Sequence, residues 1–184
     1  MNFKKFALSM LGGCLLSAGV SAQVIKPESK ILVAYFSQTG NTRTIAQKIQ
    51  QELGADIFEI TPNIPYVDDY NQLVEKAKKE IADGVTPSLR NKVANFADYD
   101  IIFVGSPCWW GTIASPVRTF LTEYDFSGKT VIPFMTHGGS GLGHSVSDIK
   151  NLVPTAEVTG AESFWGRFVG RADVSSWLNN LKSE

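Results

Sequence analysis

KILVAYFSQTGNT, residues 30–42, decides how the rest of the chain is read. Its first seven residues are a continuous apolar, β-branched run without polar alternation, the pattern of a strand covered on both faces. Beyond it Ile45, Ile49 and Leu53 fall four residues apart and mark one face of a helix over residues 41–53. The turn between them is Ser37, Gln38, Thr39, Gly40, Asn41 and Thr42. Its hydroxyls, its backbone N–H groups and the positive end of the helix converge on one point, which suits a phosphate. Gly40 allows the close backbone approach that such a cradle needs. The lack of a lysine excludes a Walker A loop, and the lack of G-x-G-x-x-G excludes the dinucleotide fingerprint. Taken alone, the same six residues also describe an ordinary polar turn at the start of a helix.

Working outward, the alternation of strand and helix repeats. Residues 55–60 (ADIFEI), 100–105 (DIIFVG) and 129–135 (KTVIPFM) are further strands, the last despite Pro133. A fifth lies near 156–160 and extends as far as Phe164 in its longest reading. Residues 68–81 align Tyr70, Leu73, Val74, Ala77 and Ile81 on one helical face. Ser115 is read as an N-cap before Pro116, opening a helix whose apolar stripe is Val117, Phe120, Leu121 and Tyr124. Residues 145–153 turn Val146, Ile149 and Val153 inward, and a last helix capped by Asp173 buries Val174, Trp177, Leu178 and Leu181. Five strands, each followed by a helix, predict a three-layer α/β/α sandwich around a five-stranded parallel sheet. In such sheets ligands sit beyond the carboxyl ends of the strands, where strand order reverses. The chemistry is therefore expected just after Phe36, Gly105 and Met135.

Two more loops stand at those places. Ser106, Pro107, Cys108, Trp109, Trp110, Gly111 and Thr112 put two adjacent tryptophans at a strand exit. A flat heteroaromatic ligand gives at least one of them a stacking partner; in the blander reading both cover neighbouring helices. Thr136, His137, Gly138, Gly139, Ser140, Gly141, Leu142 and Gly143 offer backbone N–H and C=O groups rather than side chains, which suits the polar edge of a flavin. The same composition also describes a flexible surface loop. All three loops meet at one edge of the sheet and predict one FMN site, with the phosphate on the first and the ring between the other two.

With these motifs assembled, the sequence resembles the flavodoxin family, and within it a bacterial flavodoxin-like branch carrying S-x-[TS]-G-N-T, G-x-P-x-W-W and T-x-G-G-S-G. Here they read ILVAYFSQTGNTRTIA, VGSPCWWGTIASPVRTFL and GKTVIPFMTHGGSGLG. The resemblance runs across nearly all of residues 30–181. It implies a flavodoxin-like fold with bound FMN. Ser37, Thr39, Asn41 and Thr42 match the phosphate-binding positions, and Pro107 to Gly111 with Thr136 to Ser140 match the loops that flank the isoalloxazine. It further implies an oxidoreductase that passes electrons from a nicotinamide or protein donor to a small acceptor such as a quinone. The alternative is a non-enzymatic carrier serving a protein redox partner. No side chain is expected to act as a catalytic acid or base. Cys108 and His137 stand where the branch more often has an aliphatic and a small polar residue. Cys108 reads as a small apolar wall. His137 either interacts with reduced flavin or substrate, or is a surface histidine.

Residues 1–22 read as a secretory signal peptide, with Lys4 and Lys5, an apolar run over 6–16 and the triplet Val20-Ser21-Ala22 before the cleavage point. The run falls short of the roughly 20 residues a membrane span needs. Leu11-Gly12-Gly13-Cys14 resembles a lipoprotein box, but apolar residues continue past Cys14, so cleavage after Ala22 is the expectation. Residues 23–184 then form one exported, periplasmic domain without a membrane span. Removing Lys4 and Lys5 from 17 basic and 18 acidic side chains leaves a net charge of about −3. That charge provides no basic footprint for nucleic acid, and it is weak beside the acidity that steers electron carriers to basic partners. Cys108 is left as the lone cysteine, which excludes an internal disulfide.

Overall fold

The computed structural model describes residues 24–182, so the expected signal peptide lies outside the described residues. In chain order the strands are β1 (Ile31–Tyr35), β2 (Asp56–Glu59), β3 (Ile101–Trp109), β4 (Thr112–Ile113), β5 (Thr130–His137), β6 (Glu157–Val158) and β7 (Glu162–Trp165). The helices are α1 (Asn41–Leu53), α2 (Tyr70–Ala82), α3 (Ser115–Glu123), α4 (Ser145–Leu152) and α5 (Val174–Lys182). The main sheet runs β2-β1-β3-β5-β6 and is parallel throughout, so strand order reverses between β1 and β3. β1 is buried at every residue, as its unbroken apolar run requires. Ile45, Ile49, Trp177 and Leu178 of α1 and α5 pack on one face, and Leu73, Phe120, Leu121 and Ile149 of α2, α3 and α4 pack on the other. Among the described residues no helix is long and apolar enough to cross a membrane.

The expected five strands become seven, for two physical reasons. The fifth position of the sheet is filled by two short strands in succession: β6 pairs with Thr130 and Val131, and β7 with the stretch from Phe134 to His137. The Thr130 N–H donates to Asp100 on the β3 side, so by strand alternation residue 133 faces the fifth position. Pro133 has no N–H to offer there, and the ladder breaks opposite it. Gly160 turns the chain in the gap at φ 62°, close against Leu181. The other addition is β4, which folds back antiparallel on the end of β3.

One helix start also differs. Ser115, expected as the N-cap, is the first helical residue of α3, and the extended Ala114 takes the cap position. The Ala114 N–H donates to the Ser106 hydroxyl at 2.9 Å, which holds this start against β3. The Asp69 and Asp173 carboxylates accept from Gln72 and Ser176 N–H, capping α2 and α5. Within the sheet Gly105 is required by packing: a Cβ there would lie 2.2 Å from the Phe134 ring.

Candidate functional site

At the exit of β1 the chain turns through Gly40, which adopts φ 87° and caps α1 without a side-chain partner. Its N–H donates to Ser37 Oγ at 3.1 Å, and its carbonyl accepts from Thr44 Oγ1 at 3.0 Å. The N–H groups of Asn41, Thr42 and Arg43 have no acceptor within the helix, so the positive end of α1 opens onto this turn. Thr39 is exposed. Thr42 is buried, and its hydroxyl lies 2.8 Å from that of Thr136 at the end of β5. In such a pair one O–H donates to the other oxygen and the second proton stays available to a ligand. The arginine in the first turn of α1, Arg43, is engaged elsewhere, its guanidinium pairing with the Glu59 carboxylate. Gln38 also points away from the turn and donates to the Val67 carbonyl at 3.3 Å.

The tryptophan segment, read as a loop, is a hairpin. Cys108 pairs with Ile113 and Trp109 with Thr112, and Trp110 and Gly111 form the two-residue turn at φ 51° and 83°. Positive φ at both central residues is the mark of a type I′ turn. The two tryptophans separate here. Trp109 packs inward, edge-on to Phe36 and Tyr66 at centroid distances of 5.5 and 5.1 Å. Trp110 is 52% exposed; its indole N–H donates to the Val74 carbonyl at 3.1 Å, and Lys78 lies over its ring. From the other side His144 N–H donates to the Gly111 carbonyl at 2.8 Å. The Asp148 carboxylate accepts from the Thr112 hydroxyl and contacts His144 Nδ1 at 2.7 Å.

Between this hairpin and residues 138–140 lies an open cleft of about 460 Å³. Cys108, Trp109, Trp110 and Gly111 line one side and Gly138, Gly139 and Ser140 the other. Tyr70, Leu73, Val74 and Ala77 of α2 form an apolar wall. A smaller cleft of about 250 Å³ lies beside it, over Ser37, Gln38 and Tyr66. Burial, then the Glu80 carboxylate, push the Tyr66 phenol far above its ordinary range, so it stays protonated as a donor.

The structure thus brings most of the sequence-derived residues to one rim and sorts them. Ser37, Thr39, Gly40, Asn41 and Thr42 surround the helix end. Cys108 to Gly111 and Gly138 to Ser140 line the large cleft, whereas Pro107 pairs with Thr136 inside the sheet. Thr136 is buried beneath the β1 turn rather than open to the cleft. His137 turns under its own loop, where Nδ1 accepts from Gly139 N–H at 3.0 Å, and its ring leans on Trp165. Sequence reasoning missed the α2 wall and the clamp of His144 and Asp148. The four-residue spacing of that pair on a helix was the available signal. It also missed Gly166, whose α-carbon sits so close to Asn41 that a Cβ would come within 2.8 Å of the amide.

Comparison with known proteins agrees with this arrangement. A crystal structure of a candidate flavoprotein from Bacteroides eggerthii superposes with a TM-score of 0.73 at 32% identity, covering 85% of this chain and 99% of that one. The flavodoxin of Synechocystis is 29% identical over 68% of this chain and 62% of its own length. A NAD(P)H dehydrogenase (quinone) of Rhizobium johnstonii is 30% identical over 69% of this chain and 66% of its own length. The chain therefore spans about two thirds or less of these curated relatives. The family profile described as Flavodoxin matches residues 30–181, from the first residue of the β1 run to the last turn of α5. That match, on a sheet whose order reverses at the β1 exit, makes this chain a member of the flavodoxin family.

Proposed function

We propose that the chain binds FMN and works as an oxidoreductase, taking electrons from a reduced nicotinamide and passing them to a small flat acceptor such as a quinone. The observation that carries this reading is the juxtaposition of a cation-free turn of hydroxyls and amides with an apolar cleft at the same sheet edge. The donor set fits the group. A terminal phosphate finds Thr39, the Thr42–Thr136 hydroxyl pair and the first N–H groups of α1, with the helix dipole in place of a lysine. Gly138 and Gly139 have nothing within 4 Å of a Cβ position, so their backbone faces open space that a flat ring could fill. Bound FMN supplies the hydride and electron chemistry.

The chain's own residues bind, orient and shield. Residues 138–140 present peptide groups to the polar edge of a ring, while Trp110 and the α2 wall keep water from its apolar side. Trp109, held by Phe36 and Tyr66, fixes the depth of the cleft. Among the described residues the ionisable groups that line that cleft are the Cys108 thiol and the Tyr70 phenol. The likeness to a NAD(P)H dehydrogenase (quinone) supports the donor and acceptor classes.

The test is to load the purified protein with FMN and follow NADH or NADPH consumption with a soluble quinone. Turnover without any other protein is expected. Loaded protein that exchanges electrons with neither nicotinamide nor quinone sinks the enzyme reading, and reduction that needs a protein partner and weakens with salt replaces it with a carrier.

A further inference from the structure

Among the described residues seven large apolar side chains are exposed, and six of them ring the carboxyl edge of the sheet: Ile64, Val67, Tyr70, Trp110, Trp165 and Phe168. Single exposed apolar residues are normal, but a rim of them marks a contact surface. The rim has two lobes with the large cleft between them. Ile64, Val67 and Tyr70 follow β2, on the α2 face, and Val67 is tied to Gln38. Trp165 and Phe168 follow β7 at the opposite edge, on the α1 face, with ring centroids 6.0 Å apart. Lys48 of α1 holds that second segment through the Gly170 and Ala172 carbonyls.

The lobes differ in charge. Asp68 sits in the first, and Arg167 and Arg171 sit in the second; none of the three makes an ion pair among the described residues. The acidic residues closest to them in sequence each accept a backbone N–H, Glu162 from Ser163 and Asp173 from Ser176. Asp69, beside Asp68, caps α2. Arg90 lines the smaller cleft behind the first lobe.

We propose that this rim is the contact face of a two-fold dimer of the chain. A two-fold axis lying across the rim above the cleft, at right angles to the line joining the lobes, sets each acidic lobe of Ile64, Val67 and Tyr70 on the basic lobe of Trp165 and Phe168 of its partner. The contact is self-complementary and is made twice, as an isologous interface requires. Trp, Tyr and Arg, the residues that dominate interface energies, are the ones displayed. Such a dimer roofs the two clefts, leaving access at the sides to small molecules and excluding a docked protein. This last consequence rests on the proposed function; the dimer itself does not.

The experiment is light scattering on the full chain over a dilution series, with and without FMN, at low salt. Twice the monomer mass is expected in both forms. Asp68→Arg and Arg167→Asp should each raise the dimer dissociation constant by about tenfold or more, and the two together in one chain should restore it toward wild type. Trp165→Ser should weaken the dimer without charge dependence. All three positions are exposed, so an unchanged melting temperature checks the fold. Protein that is monomeric at every concentration overturns the proposal and returns the rim to a protein partner. A dimer indifferent to both charge reversals overturns it too. Quinone turnover by a monomer leaves the proposed function standing, and a dimer that obeys the charge swap but takes up no FMN removes that function while keeping the dimer.

Discussion

Alanine at Gly143 would place its Cβ 2.1 Å from the Gly111 carbonyl oxygen and 2.8 Å from the carbonyl carbon. Normal contact between such atoms begins above 3 Å, so the Trp110–Gly111 turn has to retreat by about 1 Å. Two costs follow. Gly143 sits at φ 54°, where alanine is disfavoured by roughly 1–2 kcal/mol. The His144 N–H to Gly111 bond, 2.8 Å long, is stretched or lost, worth about 1 kcal/mol. Gly143→Ala should therefore destabilise the flavin-free protein by about 2–3 kcal/mol, or roughly 5–10 °C in a thermal melt. The retreat also moves Trp110, so FMN affinity measured by fluorescence titration should fall at least about tenfold. Gly138→Ala is the control: nothing lies within 4 Å of its Cβ and its φ is not positive, so flavin-free stability should change by less than about 0.5 kcal/mol. If Gly143→Ala melts with the wild type, the clamp on the turn has been misread.

Gly105→Ala drives a methyl group into the Phe134 ring at 2.2 Å in a sealed core, and expression should fail or stability drop by about 3 kcal/mol; adding Phe134→Leu should recover part of it in urea unfolding. Thr42→Val strands the buried Thr136 hydroxyl at a cost of about 1–3 kcal/mol and weakens FMN binding, whereas Thr42→Ser should preserve both in the same unfolding and titration assays. The two tryptophans should part company in thermal melts: Trp109→Ala loses about 3 kcal/mol of aromatic packing, and the half-exposed Trp110→Ala loses far less while still loosening FMN.

What the sequence made legible follows from how local each signal is. β1 and the turn after it need only contiguous residues, and an unbroken apolar run has one good solution, a strand buried on both faces. The split of the fifth strand needed more than periodicity. Pro133 was visible, but its effect depends on which neighbour its missing N–H would face, and that is fixed by register. The division of labour between Trp109 and Trp110 was hidden for a similar reason. Adjacent residues on a strand point to opposite faces, yet the assignment turns on where the strand ends, and β3 runs to Trp109 instead of stopping at Gly105. The burial of Thr136 was illegible because its partner Thr42 lies 94 residues away.

The cleft wall shows why such a site stays in place although it is drawn from a turn. Trp110 in a left-handed conformation is unfavourable for a bulky side chain by roughly 1 kcal/mol or more, and left to itself the turn would relax. It is held from two sides by rigid elements. Val74 and Lys78 of α2 take the indole, while His144 and Asp148 at the start of α4 take the Gly111 carbonyl and the Thr112 hydroxyl. Those two helices belong to different strand–helix units, so neither unit alone positions the wall. The strain therefore persists only while both helices pack on the same sheet face. Loosening either one should release Trp110 before it unfolds the domain. Asp148→Ala tests this: it should leave the far-ultraviolet spectrum unchanged while raising the mobility of Trp110, read as increased quenching of its fluorescence in a background where Trp109, Trp165 and Trp177 are replaced by Phe so that Trp110 is the one emitter. Equal quenching with and without Asp148 would mean that the turn holds its own conformation and that α4 merely lies beside it.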